Sequence, residues 1–366
     1  MKLTTTRENL LRPLQLTTGV VERRQTLPVL SNLLLVAEDD RLTLTGTDLE
    51  VELKAVVDGV RVDQPGTATV PAKKLADIWR SMPEGSEVTI ETQEDRAIVR
   101  SGRTRFKLAV LPVQDFPQVE APEDELAVEL PQAAVIRLID QVSFSMAQQD
   151  VRYFLNGMLL EVSPEHVRTV ATDGHRLAMC TLAGGASESV VRSIVPRKGV
   201  LELRKLLVDE DEPVRLQLSS NHLRVSQGPF TLVTKLVDGK FPDYEKVVPR
   251  ETARQVKGDR ETLRQGFQRA SILSNEKYRG VRLTFNDEQL TIQANNPEQE
   301  EAEEIVSVDY DGEPMEIGFN VSYLQDILGV LDTDQIQLSV SDSNSSALIE
   351  GLGNDNSLFV VMPMRL

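Results

Sequence analysis

The chain has 366 residues, one cysteine and a formal net charge of −17. A single cysteine excludes a disulfide-stapled scaffold and is typical of a reducing compartment. Because no apolar run approaches the roughly 18 residues that span a bilayer, and no signal-peptide core follows the first methionine, we expect a soluble cytoplasmic protein.

The first third of the chain predicts strands that alternate with two helices. Strands are expected at 2–6, 33–36, 42–45, 51–56, 88–90 and 96–100, and helices at 8–18 and 72–81. In the second helix, Leu75, Ile78 and Trp79 are spaced to share one buried face. Pro13 is expected to perturb the first helix, because proline has no backbone N–H to donate.

The rest of the chain repeats this order of elements. A strand is predicted at 126–130, and further helices are predicted at 132–143, 199–207, 261–272 and 322–331. Six helices among alternating strands predict an α+β fold, with two helices per domain packed on one face of antiparallel sheet.

Matched landmarks recur at a period of about 125 residues. Thr47–Asp48 recurs as Thr172–Asp173 and, more weakly, as Asn295–Asn296; Pro71–Lys74 recurs as Pro196–Gly199 and Asn320–Tyr323; Phe116–Pro117 recurs as Phe241–Pro242. A unit of this size can hold its own core, unlike a solenoid repeat. We therefore predict three similar domains at 1–122, 123–248 and 249–366, joined by proline-bearing linkers at 120–125 and 247–252.

Positive charge is concentrated on the predicted helices, although the chain as a whole is acidic. Thirteen basic and seven acidic residues lie on or just before them, which gives +6 and leaves −23 for the remainder. The basic residues are Arg7, Arg12, Lys73, Lys74, Arg80, Arg137, Arg197, Lys198, Arg204, Lys205, Arg260, Arg264 and Arg269. On any one helix this is also the pattern of a solvated stripe. Shared by six helices, it favours contacts with phosphates that carry no sequence information.

The first and last predicted domains carry segments of opposite charge. Residues 96–107 form a basic strand and turn that includes Phe106, and residues 298–304 are strongly acidic. The apolar pair Ile272 and Leu273 is predicted to end a nearby helix. Each charged run also fits a solubilising edge strand. Together, unlike ends that complement each other predict a head-to-tail contact between two copies.

Several segments resemble the bacterial DNA sliding clamp family, the beta subunit of DNA polymerase III holoenzyme, and the resemblance covers all 366 residues. The segments that carry it are Leu44–Glu50, Gln149–Tyr153, Asn156–Met158, Thr169–Leu177, Val195–Gly199, Lys235–Tyr244, Asn295–Glu304 and Val360–Leu366. The resemblance implies a homodimeric ring that encircles double-stranded DNA without sequence specificity and has no cofactor, metal or catalysis of its own. Twelve helices about 9 Å apart would leave a bore of about 25 Å, which is wider than a duplex.

The resemblance also implies three sets of site residues. The expected DNA-facing residues are Arg7, Arg12, Arg24, Lys73, Arg80, Arg137, Gln149, Tyr153, Arg197, Lys198 and Lys205. The expected dimer interface comprises Lys74, Arg96, Arg103, Arg105, Phe106, Ile272, Leu273, Glu298, Glu300, Glu301 and Glu304.

The third set is a pocket for short peptide motifs of polymerases, the clamp loader and repair proteins. It comprises Leu155, Thr172, Gly174, His175, Arg176, Leu177, Pro242, Val247, Asn320, Tyr323, Ser346, Val360, Val361, Met362, Pro363, Met364, Arg365 and Leu366. Two methionines suit a surface that adapts to several partners. Lys246 and Asn344 depart from the family pattern, which has an arginine and an apolar residue at these positions.

An enzymatic function is the alternative. Asp48, Asp173 and Asp243 would supply the acids of a metal-dependent nuclease, with Asp173 and His175 as an alternative relay. The sequence lacks the common nucleophile-elbow, zinc-protease, Walker and Cys-x-x-Cys motifs. An Asx turn is the simpler interpretation of Asp173, so a non-enzymatic ring is the favoured function.

Overall fold

The computed structural model describes residues 1–22, 27–117, 126–185, 187–208, 212–250, 253–353 and 356–365. These residues form two compact units, one of residues 1–136 and 198–236 and the other of residues 137–197 and 237–366. The predicted linker at 120–125 lies outside the described residues, as do residues 251 and 252 of the second linker. The division into domains at 122 and 248 stays a prediction.

Six α-helices occur in the described residues. They are α1 Arg7–Val20, α2 Ala72–Ser81, α3 Gln132–Asp140, α4 Arg197–Leu206, α5 Arg260–Ala270 and α6 Val321–Val330. Polar side chains begin three of them by accepting an early backbone N–H: Thr6 accepts from Asn9, Asp259 from Thr262, and Asn320 from Ser322. None of these helices is both long and apolar enough to cross a membrane.

The strands follow in chain order as β1 Lys2–Thr6, β2 Asn32–Glu38, β3 Arg41–Thr47, β4 Val51–Asp58, β5 Arg61–Gln64, β6 Gly66–Pro71, β7 Glu87–Gln93, β8 Arg96–Ser101, β9 Thr104–Ala109, β10 Leu126–Pro131, β11 Gly157–Val162, β12 His166–Thr172, β13 Arg176–Ala183, β14 Val191–Pro196, β15 Pro213–Leu218, β16 His222–Gln227, β17 Phe230–Lys235, β18 Arg254–Asp259, β19 Gly280–Asn286, β20 Gln289–Asn295, β21 Glu301–Ser307, β22 Met315–Asn320, β23 Gln335–Val340, β24 Ala347–Gly351 and β25 Ser357–Val361. The α+β prediction is confirmed, with antiparallel pairing in every named ladder.

The first unit holds two sheets. One has the order β5-β1-β7-β8-β9, and the other has the order β10-β15-β16-β17-β4-β3-β2-β6. Helix α1 packs against α2, β3 and β4. Leu10 and Leu14 of α1 and Trp79 of α2 are fully buried, and the Trp79 indole N–H donates to the Arg7 carbonyl at 2.9 Å. The predicted apolar face of α2 therefore lies in the core.

The second unit is built in the same way. Its sheets have the orders β14-β11-β12-β13-β25-β24-β23-β18 and β21-β20-β19-β22. Helix α5 packs against α6, β20 and β21. In both eight-stranded sheets, strands from one predicted repeat pair with strands from the next, through β17–β4 and through β13–β25.

The sequence repeat reappears as repeated local geometry. The paired strands that precede the second helix of each repeat match Asn32 with Pro71, Gly157 with Pro196 and Gly280 with Asn320. Landmarks that are about 125 residues apart in sequence therefore occupy equivalent ladder positions. The predicted triplication is a structural repeat.

The Thr–Asp landmark forms the same turn twice. The Thr47 and Thr172 hydroxyls accept the N–H two residues later, and the Asp48 and Asp173 carboxylates accept the N–H groups two residues later, both at 2.9 Å, and three residues later, at 2.7 Å and 3.0 Å. These are the bonds of an Asx turn. The structural interpretation of Asp173 therefore has direct geometric support.

Several predicted helix boundaries are wrong at the C-terminal end. Helix α3 ends at Asp140 instead of Ser143, and α5 ends at Ala270 instead of Ile272; each is followed by a separate 3-10 turn, at Ser143–Ser145 and Ser271–Leu273. Apolar periodicity continues through such a turn, so spacing alone does not mark the end. Pro13 does not interrupt α1, and the Thr17 hydroxyl donates to the Pro13 carbonyl at 2.7 Å.

Candidate functional site

A cleft of about 280 Å³ opens in the second unit, where the turn between β12 and β13 meets the C-terminal tail and the segment before residue 248. Leu177 of β13 and Val360 of β25 lie opposite each other in the sheet, which places the turn and the tail side by side. The lining residues are Arg152, Phe154, Leu155, Thr172, Gly174, Arg176, Leu177, Pro242, Tyr244, Val247, Val360 and Met362. The cleft is mainly apolar and has two guanidinium groups, which suits a ligand with apolar side chains and a few polar acceptors.

Nine of the residues predicted for the peptide pocket line this cleft. The other predicted residues that the structure describes lie around it. The Met362 N–H donates to the His175 carbonyl at 2.9 Å, the Met364 N–H donates to the Gly318 carbonyl at 2.7 Å, and the Ser346 hydroxyl lies 2.9 Å from the Met362 sulfur. Val361 is buried in β25, Pro363 and Arg365 lie in the tail, Asn320 begins α6, and Leu366 is outside the described residues.

Arg176 is the most constrained of the lining residues. Its guanidinium donates to Asp326 Oδ2 at 2.6 Å, to the Phe144 carbonyl at 2.7 Å and to Asp173 Oδ2 at 3.1 Å. It also stands 4.5 Å from the centre of the Tyr323 ring. Burial raises the pKa of Tyr323, so that ring stays a neutral phenol beside the cation. Tyr323 thus acts on the cleft through Arg176.

Arg152, Phe154 and Tyr244 line the cleft but were not predicted. Arg152 forms two hydrogen bonds to the Asp150 carboxylate, at 3.0 Å and 2.9 Å, and these hold the pKa of Asp150 at about 2. A Cβ on Gly174, whose φ is +88°, would lie 3.1 Å from the Arg152 guanidinium nitrogens. Arg152 and Tyr244 lie within segments that carry the family resemblance. Their closeness in sequence to the predicted pocket residues is the one signal that points to them. Lys246, by contrast, is exposed and pairs with Asp243 at 2.8 Å.

The three acids of the nuclease alternative are each engaged in another contact. Asp48 is buried beside the Lys198 ammonium, and Asp173 forms the turn described above. Lys246 lowers the pKa of Asp243. Within the described parts of the chain, no group of three or more His, Cys, Asp or Glu side chains is placed to hold a metal ion. This geometry gives the nuclease alternative no support.

Comparison with known proteins shows what the chain resembles along its whole length. Models of the DNA polymerase III beta subunit match it domain by domain: the N-terminal domain at residues 1–120, the central domain at 129–243 and the C-terminal domain at 245–365. The chain belongs to the DNA polymerase III beta subunit family. It is 57% identical to the beta sliding clamp of Pseudomonas putida and 51% identical to that of Escherichia coli K12, with 100% of both chains covered in each case.

Solved structures of the family agree with this assignment. A crystal structure of the DnaN sliding clamp of Pseudomonas aeruginosa bound to griselimycin matches with a TM-score of 0.95 at 56% identity, and 100% of each chain is covered. The three-domain clamp architecture expected from the sequence is confirmed. The roles of individual residues in this family member remain predictions.

The basic residues expected to face DNA fall into two groups. In the first, the charged head is accessible: Lys73 is exposed on α2, and Arg80 pairs with Asp77 at 3.0 Å on the same exposed face. The Lys205 side chain is 58% exposed, although its ammonium donates to the buried Glu202 at 2.7 Å. Gln149 and Tyr153 are also exposed. Arg24 lies outside the described residues.

In the second group, the charged side chain forms hydrogen bonds or ion pairs with other parts of the same chain. Lys198 binds Asp48, Glu22 and the Val20 carbonyl, and Arg12 donates to the Leu206 carbonyl at the end of α4 at 3.0 Å. The remaining members are Arg7 beside Glu8, Arg137 beside Asp332, and Arg197 beside the Met146 carbonyl. Burial lowers the pKa of Arg197. The net charge predicted for the helical face is therefore too high, because helix position alone does not show which cations are neutralised.

The residues expected at the dimer interface lie around two outer strands. Strand β9, with Arg105 and Phe106, ends the five-stranded sheet of the first unit, and β21, with Glu301 and Glu304, ends the four-stranded sheet of the second. Lys74 and Arg103 are exposed, Arg96 lies on β8 beside Asp95, and Glu298 and Glu300 are exposed ahead of β21. Ile272 is 75% exposed and Leu273 is half-buried. Glu304 already accepts two hydrogen bonds from Arg269, at 2.9 Å and 2.7 Å, which the sequence did not indicate.

Proposed function

We propose that the chain is a DNA polymerase processivity factor: two copies close head to tail into a ring around duplex DNA, and the cleft binds short peptide motifs of the polymerase and other DNA-processing proteins. The observation that carries this proposal is the match of all three family domains over the whole chain. A ring that tethers the polymerase raises its effective concentration at the primer end without new chemistry. We expect no catalysis by the chain itself.

Strand equivalence supports ring closure. The strands β4, β13 and β21 begin at Val51, Arg176 and Glu301, which are spaced by 125 residues. Two of them are paired within the chain, β4 with β17 and β13 with β25. The third, β21, is an outer strand, and so is β9, the first-repeat equivalent of β17. Pairing β21 of one copy with β9 of another would repeat the internal β4–β17 junction between two chains. Such a contact is heterologous, and it forms a closed ring when the rotation between the two chains brings the remaining ends together.

The β4–β17 junction gives the register tested below, while the β13–β25 junction, in which Ala178 lies opposite Phe359, gives one displaced by two residues, with Glu303 opposite Ala109. Leu53 lies opposite Leu232 in the β4–β17 ladder, and the repeat maps this pair onto Glu303 and Lys107. Residue 301 then lies opposite Ala109, and residue 305 lies opposite Arg105. This register sets the Glu303 carboxylate of one chain against the Lys107 ammonium of its partner. The charges would select the register, while Phe106 and Ile272 would supply apolar burial.

A disulfide test checks the proposed closure directly. Directly opposed residues in an antiparallel ladder are close enough for a disulfide, whereas residues displaced by two positions are about 7–8 Å apart. A chain with Lys107→Cys and Glu303→Cys should cross-link to a covalent two-chain ring, while the matched pair Lys107→Cys and Glu301→Cys should cross-link poorly. Equal yields from both pairs would contradict the register.

The function itself is tested by topology. When the ring is first loaded by a clamp loader with ATP and cross-linked afterwards, it should stay on nicked circular DNA at high salt and should be lost when the DNA is linearised. Equal loss from circular and linear DNA would overturn the encircling ring. Magnesium-dependent DNA hydrolysis that disappears in Asp173→Ala would restore the nuclease alternative.

The proposed pocket is tested with griselimycin, which is bound in crystal structures of the sliding clamps of Pseudomonas aeruginosa and Bartonella birtlesii. Fluorescein-labelled griselimycin should bind the wild-type chain, and Leu177→Ala should weaken binding because Leu177 is buried in the cleft wall. Unchanged affinity in that variant would place the ligand elsewhere.

A further inference from the structure

A buried carboxylate, that of Glu161, lies behind the cleft wall at Tyr244. The side chain of Glu161, on β11, is only 3% exposed. It lies 2.8 Å from His166 Nε2 and 2.5 Å from Arg192 Nε, with Arg168 Nη1 at 3.7 Å. Three neighbouring segments of one sheet, β11, β12 and β14, therefore converge on one acid.

The partners keep Glu161 ionised. Burial by itself would raise the pKa of the carboxyl, but the hydrogen bonds from His166 and Arg192 outweigh it, and the pKa of Glu161 is lowered. The Arg192 side chain is 58% exposed, so the cluster reaches solvent on that side. A buried charge with this many partners has a well-defined position, because each lost partner would leave it incompletely paired.

Tyr244 connects this cluster to the cleft. Its hydroxyl donates to the Glu161 carboxylate, with both oxygens at 3.3 Å, and accepts from Arg168 Nη1 at 3.0 Å. Its ring lines the cleft and packs in the same apolar cluster as Leu177 and Val360. One end of this side chain is therefore fixed by charge, while the other forms part of the proposed binding surface.

Tyr244 also holds a longer piece of the wall. It begins the 3-10 turn Tyr244–Lys246, and the Val247 N–H donates to its carbonyl at 3.0 Å. Pro242 and Val247, on either side of this turn, line the cleft as well. The anchored hydroxyl thus restrains a segment that supplies three of the lining residues.

We propose that Glu161, together with Arg168, is a positioning residue for partner binding: it fixes Tyr244, and through Tyr244 the wall at residues 242–247, in the geometry that receives the ligand. This inference rests on the proposed function of the cleft. Without the hydrogen bond between Glu161 and Tyr244, ligand binding has to order residues 242–247, which are already ordered in the wild-type chain. Ordering one side chain and its turn weakens affinity by about three- to tenfold.

The test compares the affinity of fluorescein-labelled griselimycin for four variants and the wild type. Glu161→Gln and Tyr244→Phe should each bind about three- to tenfold more weakly. The double variant should bind no more weakly than the weaker single variant, because both changes break the same link. Glu165→Gln, an equivalent change at an exposed acid near the same β11–β12 turn, should bind like the wild type.

A spectroscopic measurement separates positioning from general destabilisation. The chain has five tyrosines, so the Tyr244 signal of protein labelled with ¹³C at tyrosine Cζ is assignable by its loss in Tyr244→Phe. In ligand-free Glu161→Gln this signal should shift and broaden while the other four signals stay in place, and saturating griselimycin should then sharpen it. A general loss of packing would move several of them together.

Each outcome supports or overturns the inference. Additive losses in the double variant, or affinity within about twofold of wild type in Glu161→Gln, would overturn it. If Glu161→Gln does not fold, Tyr244→Phe decides, since it keeps the ring; unchanged affinity there would also overturn it. Failure of the wild type to bind griselimycin would count against the proposed pocket. Normal binding by the Glu161 variants is a different result and would count only against the positioning role of Glu161.

Discussion

Replacing Ile272 with alanine tests the proposed interface at its most exposed apolar residue. Ile272 is 75% exposed in the isolated chain, so its side chain contributes little to folding by itself. The substitution removes three carbon groups, each worth about 0.8 kcal/mol when fully buried. If the partner covers the exposed three quarters of the side chain, the substitution weakens the free energy of association by about 1.8 kcal/mol per interface. A closed ring has two interfaces.

The expected weakening of the dimer is therefore about 3.6 kcal/mol, or a factor of about 400 in the dissociation constant. Sedimentation velocity over a dilution series should show a two-chain species for the wild type and mainly a one-chain species for Ile272→Ala at the same concentration. The thermal midpoint of the one-chain species should hardly change. Leu352→Ala, which removes the same number of carbons from a side chain that is 39% exposed, is the control and should leave the mass unchanged. An undiminished dimer in Ile272→Ala would show that the interface lies elsewhere.

One truncation and three substitutions probe the cleft, the basic residues and the buried acid. Truncation after Val361 should abolish griselimycin binding in the fluorescence assay while the mass of the dimer persists, since the tail residue Met362 lines the cleft. Lys73→Met should weaken DNA binding and reduce its salt dependence, because Lys73 is exposed on α2, whereas Lys198→Met should mainly lower the thermal midpoint because it leaves the buried Asp48 without its cation. The lowered pKa of Glu161 means that its stabilisation is present above its unfolded pKa of about 4.3 and is lost as the pH falls through the lower folded value. Urea unfolding should therefore show a gap between wild type and Glu161→Gln at neutral pH that narrows in acid; a gap independent of pH would contradict the charged assignment.

Apolar periodicity and repeat spacing in the sequence predict much of the fold. They place the six helices of the described residues within a few residues, and they place α2 at Ala72–Ser81, as observed, because its apolar face and the preceding proline are both local signals. The C-terminal ends of α3 and α5 were missed, since a 3-10 turn preserves the apolar spacing. The family resemblance predicts nine of the lining residues of the cleft, and seven of them lie in the segments that carry it; Leu155 and Val247 lie just outside those segments.

Only the tertiary structure decided which charged side chains are free and which are paired. Lys198 and Asp48 are 150 positions apart in the sequence, and no local pattern indicates that one neutralises the other. The same holds for Tyr244 and Glu161, which are 83 positions apart. Their hydrogen bond fixes an aromatic residue that lines the cleft. Hydrophobic periodicity is set by neighbours along the chain and can be read from the sequence, whereas the pairing of a buried charge depends on which distant strands the sheet brings together.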